Sequence, residues 1–476
     1  MPTAMGIALF FMLLCNPVRI LDAGMQLSYM AIAGVSLGNY GMKRLHKKTG
    51  FRRFQKRYPL RFRVVQSLFY SVTLQGMMLP VVAKTYYEIP VYAGLLNLIV
   101  VPGMTVVVAG SWFGLLVSIG TISLGRFVML PVGWMLQGYT WLCERTLELP
   151  WNTLVTGEIR GWQSGMWYGG IACTLVLLRT KTRNKLRDFV YKHTGRFWRK
   201  REVVRYTVCT ILISMLLQGA GQALCVWQQR TEAIYFLDVG QGDGILIRSP
   251  DGRNIVIDGG STSQSKCGTY TLLPALRSQG MTEIDCWFVT HTDEDHISGL
   301  KELLLQGKLT QIKVRTVVFS AYVFQDAALA ELEAVIRAAG ITIVWMREGD
   351  VIGDDTFTLT CLHPTAEYRA KDKNAASLAL AYHSDTFDML FTGDMDADAV
   401  ADMDIQQDYD CIKLPHHGSK YSYVEGVYAH ADYGLISCGY NNRYGHPHTE
   451  VLQGLAQEGS KVLRTDEMGA VVFRGR

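Results

Sequence analysis

The chain has 476 residues, 49% hydrophobic and 19% charged, with a formal net charge of +5; this is room for two or three domains, and it excludes a single domain of uniform character. The charge is a cancellation, because segment 43–63 holds ten Lys or Arg and no acid, segment 179–205 holds eleven against two acids, and the remainder sums to −14. Apolar stretches broken by short polar or basic segments run to about Trp227, and beyond it charged residues recur every few positions, so a membrane part precedes a soluble part.

In chain order, spans long enough or nearly so to cross a hydrocarbon core are predicted near 3–18, 24–41, 64–83, 91–109, 112–135, 165–178 and 207–227. The first does not read as a signal peptide, since no Lys or Arg precedes it and no small-residue cleavage site follows. The basic segments are first of all topology signals and should face the cytoplasm, with phospholipid or nucleic-acid contact as the alternative. Four spans lie between them, an even number, and 207–227 then carries the chain across, which predicts a multi-pass membrane domain over 1–230 and an extracytoplasmic domain over 231–476. Gly and Pro within "VVPGMTVVVAGSWFGLL" suit close helix packing or broken helices.

From Glu232 onward, short apolar or alternating runs predict strands: "AIYFLDV", "GILIRS", "NIVIDGG", "IDCWFVT", "VRTVVFS", "ITIVWM", "FTLTCL", "SLALAYH", "DMLFTGD", "DCIKLPHH" and "YGLISCG". Helices are predicted in "SGLKELLLQG", "DAALAELEAVIRAAG" and "TEVLQGLAQEG", the last two ending at Gly, and "SPDGRN" reads as a hairpin turn. Many strands with interspersed helices imply an α/β sandwich of sheets with helices outside.

The stretch "HTDEDHISG" sets His291, Asp293, Asp295 and His296 between a buried strand and a helix predicted to start near Ile297. Clustered carboxylates are costly without a positive partner, and no Lys or Arg lies in the turn, so a metal is the natural partner. Asp258, Asp394, the pair His416 and His417, and the pair His446 and His448 follow other apolar runs and are further candidates. His and Asp without Cys suit two divalent ions, manganese or zinc. Such a pair activates water and stabilises the oxygen leaving a phosphate ester. The ten cysteines form no CxxC pair and no zinc-ribbon spacing, and read mostly as small core residues, with one disulfide involving Cys267 left open. Asp243 either shapes a Gly-rich turn or joins the site; His363 and His430 read as structural or exposed, and His448 as a solvated neighbour of His446.

In order, "FLDVGQGDGILI", "VIDGG", "HTDEDHISG", "FTGD", "PHHGS" and "NNRYGHPH" resemble the metallo-β-lactamase domain of the ComEC family of DNA-internalisation competence proteins, and "NPVRILDAGMQLSYMAIAG" is similar to that family's membrane competence domain. The resemblance implies a metallo-β-lactamase-like αββα sandwich behind a multi-span helical membrane domain. It implies that His291 and Asp293, the latter replacing a histidine of the commoner motif, hold one ion with His417. Asp295, also counted as catalytic, and His296 would hold the second with His446, and Asp394 would bridge both. Asp258 would orient ligands, His416 would contact substrate or shuttle a proton, and Asn374 and Ser377 would occupy the stretch where other superfamily members carry a further ligand. Family members begin with a small extracellular domain and further spans, so Met1 would fall inside the membrane domain.

The function so implied is DNA uptake in natural transformation, with an extracytoplasmic metal-dependent nuclease that degrades one strand while the other enters. Its partners would be DNA, the membrane and other competence proteins, with a homo-oligomer left open. The alternatives are a surface phosphoesterase acting on small or lipid-linked phosphate esters, and a non-enzymatic channel or docking component. The absence of a P-loop puts the energy for transport elsewhere.

Overall fold

The computed structural model describes residues 2–47, 49–178, 231–403, 405 and 407–475. The chain divides into two compact units, Met1–Cys225 and Val226–Arg476. The predicted span 207–227, the basic segment 179–205 and the predicted boundary at 230/231 lie outside or at the edge of the described residues.

The first unit is helical: α1 (Pro2–Cys15), α2 (Ala23–His46), α3 (Thr49–Arg57), α4 (Pro59–Tyr86), α5 (Ala93–Gly120), α6 (Ile122–Leu147) and α7 (Gly161–Leu178). Two short strands, β1 (Glu88–Pro90) and β2 (Thr153–Val155), pair antiparallel between helices. Among the described residues two helices, α4 and α5, are long and apolar enough to cross a membrane, and Ala4–Cys15 is apolar but shorter. The predicted spans 24–41 and 64–83 lie within α2 and α4, 91–109 lies on α5 but for its first two residues, 165–178 lies on α7, 3–18 runs past the end of α1, and 112–135 is divided between α5 and α6. The boundary expected between 109 and 112 does not break the chain: α5 runs on to Gly120, and the turn is at extended Thr121. Gly110 is an interhelical contact instead, since a Cβ there would lie 2.7 Å from Val132. The basic segment 43–63 is likewise mostly helix, α3 with the ends of α2 and α4, drawn together by His46, Phe51 and Phe62, whose rings lie 5.4–5.6 Å apart.

The second unit is a four-layer αββα sandwich. Its first sheet runs β16-β3-β4-β5-β6-β7-β8, from β3 (Ala233–Phe236), β4 (Gly244–Arg248), β5 (Asn254–Asp258), β6 (Glu283–Val289), β7 (Lys313–Ser320), β8 (Thr342–Met346) and β16 (Val471–Arg474). The second runs β15-β14-β13-β12-β11-β10-β9, from β9 (Val351–Gly353), β10 (Phe357–His363), β11 (Ala379–Ser384), β12 (Asp388–Phe391), β13 (Tyr409–Lys413), β14 (Ala431–Ile436) and β15 (Lys461–Arg464). All eleven predicted strands form. β9, β15 and β16, three or four residues each, are too short to show a period.

Alternation explains the layers, because successive side chains of a strand point to opposite faces. Ile245 and Ile247 meet Phe357, Leu380 and Phe391 between the sheets, while Leu246, Val256 and Trp287 face outward onto Leu276, Leu300 and Leu332. Those three come from α8 (Leu273–Ser278), α9 (Glu294–Gln306) and α10 (Ala327–Ala338). On the far side, Ile412 and Leu414 pack with Val451 and Leu455 of α12 (Thr449–Glu458), and α11 (Ala397–Asp402) covers Met395. Both faces of each sheet are therefore apolar, as expected of sheets with parallel strands covered on both sides. The described cysteines are all free thiols, Cys267 included; Cys209 and Cys225 lie outside the described residues.

Candidate metal centre

In the first sheet β5, β6 and β7 are parallel neighbours, and in the second β12, β13 and β14. Functional groups of open α/β sheets gather at the carboxyl ends of such strands. Asp258 ends β5, His291 follows β6, Asp394 follows β12, His416 and His417 follow β13, and Ser437 follows β14. Helix α9 begins at Glu294, three residues before the predicted start, with Asp293 at the N-cap position. Acids at 294 and 295 suit the positive end of the helix. Gly260 makes this packing feasible, because a Cβ there would meet the backbone of Glu294, Asp295 and His296 at 2.5 Å.

Three buried histidines share one arrangement. His296 Nδ1 pairs with Asp258 Oδ2 at 2.8 Å, His417 Nδ1 donates to the Ser437 carbonyl at 2.9 Å, and His291 Nδ1 lies 3.1 Å from Thr290 Oγ1 and 3.4 Å from Ser377 Oγ. Their Nε2 atoms are buried without hydrogen-bond partners among the described residues. Asp394 Oδ2 sits 3.4 Å from Nε2 of both His296 and His417, and Asp295 Oδ2 is 3.4 Å from Nε2 of His417. Binding one ring nitrogen to a carboxylate or carbonyl while freeing the other is how proteins present imidazole to a metal. Asp258 is itself fixed by the Thr290 amide and hydroxyl, at 2.8 and 2.7 Å, and the Asp394 amide donates to Ser377 Oγ at 3.1 Å. Asp258, His416 and His417 all have left-handed backbones, φ 56°, 48° and 56°. Such conformations in non-glycine residues are held only by surrounding structure and gather at functional sites.

Ligand atoms converge in the groups His291–His296–Asp394, Asp295–His296–His417, Asp243–Asp394–His417 and Asp243–Asp258–His296. These place His417 with Asp295 and His296, where the resemblance put it with His291 and Asp293. Asp293, its side chain 37% exposed, has Oδ2 3.7 Å from Nε2 of His291, as the pairing of these two in the resemblance implies, and Oδ1 2.5 Å from Lys373. His446 is half-buried at the rim, its ring 5.7 Å from that of His416 and 6.3 Å from that of His417. His416 has its side chain 34% exposed, with Nε2 4.0 Å from Asp394. His448 is partly buried, 5.0 Å ring to ring from His446, and His363 is buried with Nε2 3.0 Å from the Ala375 carbonyl. Asn374 contributes its carbonyl to the Ser377 amide.

Two lysines modify the reading that the acids lack a positive partner. Lys373 answers Asp293, and Lys413, 1% exposed, pairs with Asp243 and donates to the Gly393 carbonyl at 2.9 Å. Asp243 is thus part of the site's buried wall and not only a turn residue. Local sequence gives no sign of these pairs, whose members are 80 and 170 positions apart.

The charges act on one another. Burial and the neighbouring His296 push His291 down to about 3. Burial also works against a charge on His296, but Asp394 and Asp258 carry it well above its ordinary value. Asp394 is driven well below the usual carboxylate range by His417 and His296, although burial opposes this. Anions facing histidines across 3.4 Å, with the lone-pair nitrogens aimed inward, form a donor set that fits divalent ions.

Residues 1–181 match the family described as Competence protein, and residues 237–366 match the Metallo-beta-lactamase superfamily. ComE operon protein 3 of Bacillus subtilis (strain 168) is 26% identical over 491 residues, covering 99% of this chain and 58% of the relative. Competence protein ComA of Neisseria gonorrhoeae is 26% identical over 289 residues, covering 56% of this chain and 38% of the relative. The chain thus spans about half the length of these relatives. Among solved structures, the metallo-beta-lactamase fold protein YhfI from Bacillus subtilis is 13% identical with a TM-score of 0.35, covering 51% of this chain and 100% of that protein.

Proposed function

We propose that this chain, a competence-protein region followed by a metallo-β-lactamase-superfamily domain, is a multi-pass membrane protein of DNA uptake whose C-terminal domain is an extracytoplasmic, metal-dependent nuclease. The observation that carries the nuclease chemistry is the convergence of three unpartnered Nε2 atoms, of His291, His296 and His417, around Asp394. Each imidazole Nε2 has one lone pair, so His296 serves one of the groups in which it appears. His291, His296, His417, Asp295 and Asp394 would hold manganese or zinc, with Asp293 and His446 completing the set from the rim.

Two such ions would supply a hydroxide at neutral pH and neutralise charge on the departing oxygen. The protein's own part is orientation: Asp258 and the Ser437 carbonyl fix two imidazoles, and Ser377 holds the backbone of Asp394. His416, with its side chain 34% exposed and Nε2 4.0 Å from Asp394, would contact substrate or shuttle a proton. A nucleic-acid substrate is supported by the rim, where Tyr421 and Tyr440 are 74% and 85% exposed. Lys420 and Arg443 lie over the rings of Tyr421 and Tyr444 at 5.6 and 4.8 Å. Exposed aromatic rings with adjacent cations are surfaces on which unpaired bases stack. They offset locally the acid excess of the domain. The outward orientation is supported by the two basic segments and the even number of spans between them.

The test is hydrolysis of single- and double-stranded DNA and of a chromogenic phosphodiester by the full chain in detergent, with manganese or zinc, beside an Asp295→Ala, Asp394→Ala variant. DNA cleavage that vanishes in the variant and weakens steeply with salt is expected. Cleavage of the small ester alone would replace the nuclease by a phosphoesterase. A metal-loaded chain that cleaves neither would leave a docking role.

A further inference from the structure

Position 413 should be apolar. Cys411 faces the inter-sheet core, Ile412 and Leu414 face the outer layer, and so strand alternation turns residue 413 back between the sheets. It is a lysine, among the largest fully buried side chains of the domain, and lysine is almost never fully buried without a partner. The ammonium has three neighbours: the Asp243 carboxylate, the Gly393 carbonyl at 2.9 Å and Asp394 Oδ1 at 3.7 Å.

Two of the four donor groups, Asp243–Asp394–His417 and Asp243–Asp258–His296, share Asp243. That carboxylate already faces a fixed protein cation. In the second of them Nδ1 of His296 is also engaged by Asp258. His296 and His417, whose Nε2 atoms have no hydrogen-bond partner, also belong to a group without Asp243, and His291 belongs only to such a group. The lysine also acts on Asp394 directly: it grips the carbonyl of the preceding residue and lies on the Oδ1 side, while Oδ2 faces His296, His417 and His416.

We propose that Lys413 is a positioning residue of the metal centre, standing in the place of a further cation beside Asp243 and leaving Asp394 Oδ2 as the oxygen presented to the histidines. The lysine would thereby confine divalent ions to the histidine side. This rests on the reading of the site as a metal centre.

The experiment uses the full chain in detergent, stripped with chelator, titrated with Mn²⁺ or Zn²⁺, freed of unbound ion and analysed for metal per chain, with Mn²⁺ environments followed by electron paramagnetic resonance. Lys413→Met should take up one additional divalent ion per chain and hold the tightest ion about tenfold more weakly, the scale of losing a supporting group behind a ligand. In Lys413→Met, Asp243→Asn the additional ion should be lost while the tenfold weakening remains. Should the single variant not fold, the double variant, which buries no unpaired charge, decides by that weakening alone. Wild-type stoichiometry, affinity and spectrum in a folded Lys413→Met chain would make the lysine a plain ion-pair strut and overturn the proposal. A wild-type chain that binds no ion would overturn the metal reading itself, and with it this inference.

Discussion

In residues 2–178 large apolar side chains face outward, with Phe10 62%, Ile119 79% and Trp134 66% exposed, whereas in residues 231–475 Trp287 and Phe288 are 0% exposed and Phe391 1%. The polar groups invert as well. The C-terminal domain buries Asp243, Asp258, Asp394, Lys413 and three histidines at one edge of its core, while among the described residues of the helical unit Ser71 is the only buried polar one. An apolar surface this extensive is stable only against lipid or another apolar partner, and a core so polar at one edge is retained only where the polar groups satisfy each other or a ligand.

The sharpest separation of the two regions is expected from Asp394→Ala, which should lower metal-dependent hydrolysis about a thousandfold, the scale of losing a main electrostatic element of a site. The variant should distribute between membrane and soluble fractions to the same extent as the wild type; a difference would mean that the two regions do not act separately. Next in size, Phe391→Ala should destabilise the C-terminal domain by about 3–5 kcal/mol, since it empties the space between the sheets. Phe113→Ala, at a residue 60% exposed, should change stability by no more than about 0.5 kcal/mol. Equal losses in denaturant titrations of the two variants would erase the contrast.

Metal affinity should fall as pH falls. Burial works against a proton on His296 and His417, but Asp394 with Asp258 or Asp295 raises both, so in the metal-free chain they bind protons more strongly than free imidazole. A metal must expel those protons, at up to about tenfold in affinity per pH unit for each proton released. For the metal-free domain the sign is opposite: a raised histidine contributes stability that is complete below its unfolded value near 6.5 and is lost as pH rises through the folded value. Calorimetry in buffers of different ionisation enthalpy measures the released protons; zero release would contradict the role of these nitrogens. The smallest effect is expected at the rim, where Tyr421→Ala should weaken single-stranded DNA binding about fivefold, the low end of base stacking, and leave hydrolysis of a small phosphodiester unchanged. A loss on both substrates would place Tyr421 in the site's framework and not on a binding surface.

Composition and period were enough to separate an apolar helical region from a sheet-rich domain, because helices with apolar outer faces and strands apolar on both faces leave continuous runs that survive in one dimension. The short motifs at Asp258, 291–296, Asp394, 416–417 and 446 were legible for the same reason, since each is anchored by the apolar strand before it. Tertiary structure alone decided which of these meet. Thr290 behind two histidines, Lys373 on Asp293, Lys413 on Asp243 and the grouping of His417 with Asp295 join positions up to 170 residues apart, and an ion pair formed across two sheets has no local period to announce it. Lys413 is the clearest instance: nothing in the strand "DCIKLP" marks its partner, and only the pairing of the two sheets brings its ammonium to Asp243.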